Sequence, residues 1–269
     1  MRKKLLMLLT LLLPAALLLA GAAPRQVMLY EFGDKGLTQY LHAAEDCPAA
    51  WRVMIALDLV QENDLSAPQK DELIQRRALF SGCESEEDAL DLLTPALRGK
   101  AEGALARLSY LRAVVEGKRF PFAAGVSCTY WNDWGQARTF GGDRAHEGID
   151  LMADWGVPVY ATGDGVIEKA GWNTLGGWRI GVRGDSDGVY YYYAHLSSYA
   201  DGVEAGAPVR AGQLLGFVGD TGYGPTGTSG QMDAHLHYGV YEGAVMRAVN
   251  PYPLLSRWQK CRIVKQIGQ

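Results

Sequence analysis

Histidine is scarce in this chain of 269 residues, and apart from His42 every one lies in a short pattern: His146-Glu147-Gly148-Ile149-Asp150, Tyr193-Ala194-His195-Leu196 and His235-Leu236-His237. A lone histidine is more often a satisfied core or surface residue than a ligand, but three such patterns would have to coincide here. In a strand, residues two apart project to one side, so His235 and His237 are expected to face one cleft about 7 Å apart. His195 sits in another strand-like run that can line the same face. His146 and Asp150 are four apart, which suits one side of a helix, although Gly148 and the β-rich surroundings favour a curved loop or strand entry. Two imidazole nitrogens and one carboxylate oxygen match a catalytic zinc site, where three protein ligands leave the fourth position for water. Zinc brings the pKa of that water to about 7 and polarises a carbonyl, so a nucleophile is available at neutral pH. The remaining histidines would take a proton from the water or steady the oxyanion, and return a proton to the leaving amine. Spacing alone leaves open which histidines are ligands.

The elements that must position these residues are β-type. From Phe120 onward the chain is dense in Gly, Val, Tyr and Trp, with short runs at Val157 to Thr162, Val166 to Ala170, Arg179 to Arg183, Val189 to Leu196, Leu214 to Val218 and His235 to Tyr241. Turn residues such as Asp164-Gly165 and Asp187-Gly188 separate them at hairpin spacing. No helix-length apolar period intervenes, so an antiparallel sheet is expected, as a sandwich or partly open barrel. In Tyr190 to Tyr193 half the rings should pack inward and half outward. Trp172 and Trp178 suit the groove or its rim. The segment from about Leu37 to Gly117 is instead rich in Ala, Leu, Glu and Arg. It reads as helices over Trp51 to Val60, from Ser66 with Gln69 completing a capping box, and after Ser85. Leu105, Leu108, Leu111 and Val115 recur at helical spacing and mark a packed face. The fold class is therefore α+β: a signal peptide over 1–22, a small helical domain over 23–119 and an antiparallel all-β domain over 120–269, joined by a linker near Glu116 to Pro121.

Arg2, Lys3 and Lys4 precede an apolar run from Leu5 to Leu19 and the small residues Ala20, Gly21 and Ala22, which is the layout of a secretory signal peptide. The run is shorter than the roughly 20 residues of a membrane span. A secreted or wall-associated protein is expected, membrane-anchored if the signal stays, and with no lipid anchor because no cysteine lies near the cleavage point. A net charge of −4 offers no basic surface for nucleic acid. Cys47, Cys83, Cys128 and Cys261 form no C-x-x-C pair, so disulfides are allowed rather than a zinc ribbon; pairing each within its own unit would join Cys47 to Cys83 and Cys128 to Cys261.

With these patterns in view the chain resembles the lysostaphin-type family of zinc peptidoglycan endopeptidases. The resemblance runs in order through Arg144 to Leu151, Gly156-Val157-Pro158-Val159-Tyr160-Ala161, Gly163 to Val166, Ala170-Gly171-Trp172, Tyr193 to Leu196, Ala211-Gly212-Gln213, Gly219-Asp220-Thr221-Gly222, His235-Leu236-His237 and Asn250-Pro251, covering residues 121 to 258. It implies that His146, Asp150 and His237 are the zinc ligands, that His195 and His235 are the catalytic histidines, and that loops of an antiparallel β domain wall a groove for stem or cross-bridge peptides. Two departures bear on substrate preference rather than on this set: a long Gly-, Pro- and Thr-rich segment from Tyr223 to Ala234, and Tyr238-Gly239 after the histidine pair. The competing expectation is a non-catalytic wall-binding or complex-forming module that keeps the fold. The resemblance does not extend strongly to the helical domain, for which autoinhibition or a regulatory partner is the working expectation.

Overall fold

The structure is a computed structural model that describes residues 24–140 and 142–267. The expected signal peptide lies outside the described residues. A 3-10 turn at Leu29–Phe32 leads into six helices: α1 (Gly33–Asp46), α2 (Trp51–Val60), α3 (Lys70–Phe80), α4 (Glu86–Asp91), α5 (Pro95–Ala106) and α6 (Ser109–Val115). Helix α2 occupies the expected residues and is buried from Trp51 through Asp58. Its two charged residues are paired there, Arg52 with Glu86 at 2.9 Å and Asp58 with Arg76 at 2.7 Å, as burial of a charge requires. Helix α4 starts as expected: the Asp88 amide donates to Ser85 Oγ at 3.1 Å and the Ser85 amide to Asp88 Oδ2 at 3.0 Å.

The helix expected from Ser66 begins at Lys70 instead. Pro68 disfavours helical backbone at Ala67, and the Ser66 amide and hydroxyl both turn back to donate to Asp64 Oδ1, at 2.9 and 2.8 Å. The leucine stripe is buried throughout but is divided, with Leu105 in α5, Leu111 and Val115 in α6 and Leu108 between the two helices. The expected Cys47–Cys83 disulfide is not formed. Both are free thiols, with Cys47 Sγ donating to the Arg77 carbonyl at 3.4 Å. The Cys261 side chain lies outside the described residues.

The expected linker is a pinned crossing. Lys118 forms a buried ion pair with Asp187 at 2.5 Å and stands 5.1 Å from the Tyr191 ring centre. The Arg119 amide donates to the Thr162 carbonyl at 2.8 Å, and Phe120 and Phe122 are buried. Helices and sheet consequently share one continuous apolar core.

The strands are β1 (Ala137–Arg138), β2 (Arg144–Ala145), β3 (Ile149–Met152), β4 (Pro158–Tyr160), β5 (Gly165–Asn173), β6 (Gly177–Gly184), β7 (Tyr190–Tyr199), β8 (Pro208–Val209), β9 (Leu214–Val218), β10 (His235–Glu242) and β11 (Arg247–Val249). β1 and β2 form a small ribbon, and the other strands form a 9-stranded sheet. All pairings are antiparallel, as expected. The sheet stays open, and it forks. One edge of β7 pairs with β10 from Tyr190 to Ala194, then with β9 from Leu196 to Tyr199. Beyond β10 lie β3 and β11, and beyond β9 lies β4. Tyr191 and Tyr193 point into the core while Tyr192 lines a groove, the alternation that a strand imposes. A C-terminal helix, α7 (Tyr252–Ile267), was not expected from the sequence. It buries Leu254, Leu255 and Trp258, the last ring lying 6.4 Å from both Tyr191 and Tyr238.

Candidate metal centre and active-site groove

The fork in the sheet collects the histidines. Asp150 and His237 are direct partners across β3 and β10, and His237 also faces Ala194 of β7. His146 enters from the loop after β2, so its four-residue spacing from Asp150 is realised by a loop and a strand, not by a helix turn. Gly148 makes this approach feasible: a Cβ there would stand 2.5 Å from His237 Cε1 and 2.8 Å from the Tyr238 carbonyl.

Three ligand atoms converge. His146 Nε2 lies 3.1 Å from Asp150 Oδ1 and 2.9 Å from His237 Nδ1, and the last two are 3.0 Å apart. Ligands at about 2.0–2.1 Å from a tetrahedral zinc ion stand about 3.3 Å from one another, close to this triangle. His235 Nε2 is farther, 3.7 Å from Asp150 Oδ1, so the geometry separates the two histidines of β10 where spacing could not. Among the described residues, His146, Asp150 and His237 are the cluster able to hold a metal ion.

The surrounding charges prepare these atoms. The Asp133 carbonyl and Oδ2 accept from His146 Nδ1 at 3.1 and 3.2 Å, which turns Nε2 toward the triangle. Arg138 Nη2 donates to Asp150 Oδ2 at 2.7 Å and to Asp133 Oδ2 at 3.0 Å, leaving Asp150 Oδ1 as the converging oxygen. Burial works against ionisation of Asp150, yet hydrogen bonds from His146 and His237 outweigh it and hold the carboxyl well below the usual range. Burial likewise opposes protonation of His146, but the Asp133 and Asp150 carboxylates raise it. Burial pushes His237 down.

His195 occupies the fork itself, between the residue of β7 that pairs with β10 and the one that pairs with β9. Its φ of 62° is in the left-handed region, a strained choice for a histidine that persists where the surroundings over-determine it. Those surroundings are specific: its amide donates to the Gly176 carbonyl and Nδ1 to the Thr221 carbonyl, each at 2.7 Å. Nε2 is thereby left as the free lone pair. Burial, followed by the nearby His235 and His237, pushes its pKa down to about 3, so the ring is neutral. His235 donates through Nδ1 to the Asp233 carbonyl at 2.7 Å, and the His195 and His235 ring centres are 4.7 Å apart.

A groove of about 520 Å³ runs over the site, and its lining residues fall between Arg138 and Tyr241. Among the described residues, no helix of the N-terminal part contributes to that lining, so the expected autoinhibition has no contact behind it in the groove. All five residues expected from the sequence therefore meet at one place. Asp133, Arg138 and the Thr221 carbonyl were missed. Thr221 lies in the run Gly219-Asp220-Thr221-Gly222, whose spacing gives it no role, and nothing in the sequence singles out Asp133 or Arg138. Trp172 and Trp178 pack on one another at 5.5 Å, with Trp172 Nε1 donating to the Gly224 carbonyl, which makes them rim packing.

An open antiparallel sheet carries a His-Asp-His triangle able to hold one metal ion, with two further imidazoles beside it. Residues 144–251 match the model of peptidase family M23. The chain is 46% identical over 149 residues to the L-Ala–D-Glu endopeptidase of Bacillus subtilis, covering 55% of this chain and 45% of that protein. It is 40% identical over 115 residues to lysostaphin of Staphylococcus simulans, covering 41% and 21%. It thus spans less than half the length of these curated relatives. A solved structure from Ruminococcus gnavus, provisionally assigned as a glycyl-glycine endopeptidase of the LytM type, aligns with a TM-score of 0.56 at 30% identity, covering 90% of this chain and 92% of that one. The chain belongs to peptidase family M23.

Proposed function

We propose that the protein is an exported zinc-dependent endopeptidase that hydrolyses stem or cross-bridge peptides of bacterial peptidoglycan. The observation that carries this reading is the triangle of His146 Nε2, Asp150 Oδ1 and His237 Nδ1, with sides of 2.9–3.1 Å, flanked by two histidines with free Nε2 atoms. Three atoms mutually this close cannot all be satisfied by hydrogen bonds between imidazoles and one carboxylate, whereas the donor set suits zinc. These three residues would hold the ion. When bound, zinc acts as a Lewis acid on the scissile carbonyl and on water.

The chain's own residues supply the rest. The groove orients an extended peptide, and Arg138 steadies Asp150. His195 is neutral, so its Nε2 accepts a proton as water adds to the acyl carbon. His235 Nδ1 likewise faces a backbone carbonyl, that of Asp233, at 2.7 Å. Whichever imidazole has taken the proton becomes the acid that delivers it to the leaving amine, so the amide C–N bond breaks with the charge balanced. The names of the relatives support a peptidoglycan substrate, and the basic-then-apolar start of the sequence supports export.

Zinc content and release of amino groups from purified peptidoglycan test the reading together. The full chain should bind about one zinc and cut, while the His195→Ala variant should keep zinc and lose about 10²–10⁴-fold in kcat, the usual share of general acid–base catalysis. Zinc-loaded protein that binds peptidoglycan from several wall types without releasing amines would instead favour the non-catalytic wall-binding module.

A further inference from the structure

We propose that Arg144 binds a free carboxylate of the substrate next to the scissile bond, which fits the groove to stem peptides containing γ-linked D-glutamate. The inference rests on the peptidase reading above and adds which peptide is taken. Two arginines line the groove, Arg138 and Arg144. They are directly opposite in the β1–β2 ribbon, so both side chains share a face, and like charges so placed destabilise a strand pair unless something neutralises them. Arg138 is neutralised by Asp133 and Asp150. Arg144 is not: its guanidinium meets Tyr223, donating from Nη2 to the hydroxyl at 3.2 Å and lying 5.9 Å from the ring centre. No carboxylate among the described residues pairs with it, and its Nε is buried without a hydrogen-bond partner.

The support for this cation is built rather than incidental. Tyr223 is held at φ 55°, in the left-handed region, and packs against Phe140 with ring centres 4.4 Å apart and tilted by 50°. Its ring lies 5.7 Å from that of His195. The platform therefore places a planar fork of donors on the Tyr223 and His195 side of the groove. Such a fork matches a carboxylate in two parallel hydrogen bonds.

The chemistry fits an L-Ala–γ-D-Glu bond and disfavours a glycine bridge. In an L-Ala–D-Glu bond whose glutamate continues through its γ-carboxyl, the free α-carboxylate is attached to the carbon that bears the leaving amine, within reach of a cation beside His195. A glycine bridge carries no carboxylate beside its bonds.

The test measures kcat/KM of the zinc-loaded full chain on three peptides: one with an L-Ala–γ-D-Glu linkage, the same peptide with the α-carboxylate converted to a carboxamide, and pentaglycine. Wild type should favour the carboxylate over the carboxamide about tenfold to a hundredfold, the range expected for a hydrogen bond between charged groups. Arg144→Gln should remove that preference by lowering the carboxylate rate far more than the carboxamide rate, and Arg144→Lys should keep part of it. Equal rates of wild type on the two forms, or an equal fall on both in the Gln variant, overturns the inference. Cleavage confined to pentaglycine overturns it and leaves the peptidase reading standing. No cleavage of these peptides or of whole peptidoglycan overturns both.

Discussion

Asp133 touches the metal triangle through one intermediary, since its carbonyl and carboxylate fix His146 by Nδ1 while His146 Nε2 does the converging. Partners of this kind set the tautomer and basicity of a ligand, and removing one typically costs 10–100-fold in metal affinity. Asp133→Asn should weaken zinc binding by about that factor in competition with a chromophoric chelator. Unchanged affinity would mean that the Asp133 backbone carbonyl suffices to orient the ring. This residue also marks the limit of reading the site from sequence. His146, Asp150, His195, His235 and His237 were legible because each lies in a short pattern whose spacing has a strand or loop geometry behind it. Asp133 and Arg138 come from an irregular stretch whose strands are two residues long. Their partners are set by how that stretch folds back over β3, which no local period announces.

Glu242, at the end of β10, does for the elements what Asp133 does for the ligands. Its buried carboxylate accepts from the Leu29 and Tyr30 amides at 3.0 and 2.7 Å and from the Tyr110 hydroxyl at 2.7 Å, tying the first turn and α6 to the strand that carries His235 and His237. Hydrogen bonds to a charged group contribute about 1.5–3 kcal/mol. Tyr110→Phe should therefore lower stability by about that amount, and Glu242→Ala by more, because it strands three donors at once. Urea unfolding checks both, and a loss under about 0.5 kcal/mol for Glu242→Ala, the scale of an ordinary surface substitution, would show that apolar packing alone docks the helices. Most strands and helices were legible here, since alternation, turn dipeptides and caps are local signals. The start of α3 was not, because Pro68 overrides the capping pattern before it. Helix α7 was not either. Its apolar residues bury against tyrosines of the sheet, so they read as one more stretch of a β domain until the packing is known.

At the scale of the whole molecule, the sequence divided the chain at the linker, whereas the core runs through it. Partner choice in the forked sheet is likewise long-range, which is why a sandwich and a barrel were both open when an unclosed sheet was the outcome. The shared core has a consequence at high pH. Burial pushes Tyr193 up to about 12 and also raises Tyr191 and Tyr238 in the sheet and Tyr40 and Tyr110 among the helices, the last two helped by the charges of Asp58 and Glu242. A tyrosine whose folded pKa lies above its unfolded value of about 10 contributes stability that is complete below pH 10 and is lost as pH rises beyond it, at up to about 1.4 kcal/mol per unit for each ring. Several such rings acting together would exhaust a typical stability of about 5–15 kcal/mol within one or two units. The chain should hold its urea midpoint up to about pH 10 and unfold by about pH 12. Because the rings are spread through both parts of one core, tyrosinate absorbance and helical circular dichroism should change in a single coincident step. If the helical signal instead disappeared at a separate pH from the sheet tyrosines, the two parts would be independent folding units, and the pinned crossing at Lys118 would be a hinge between them.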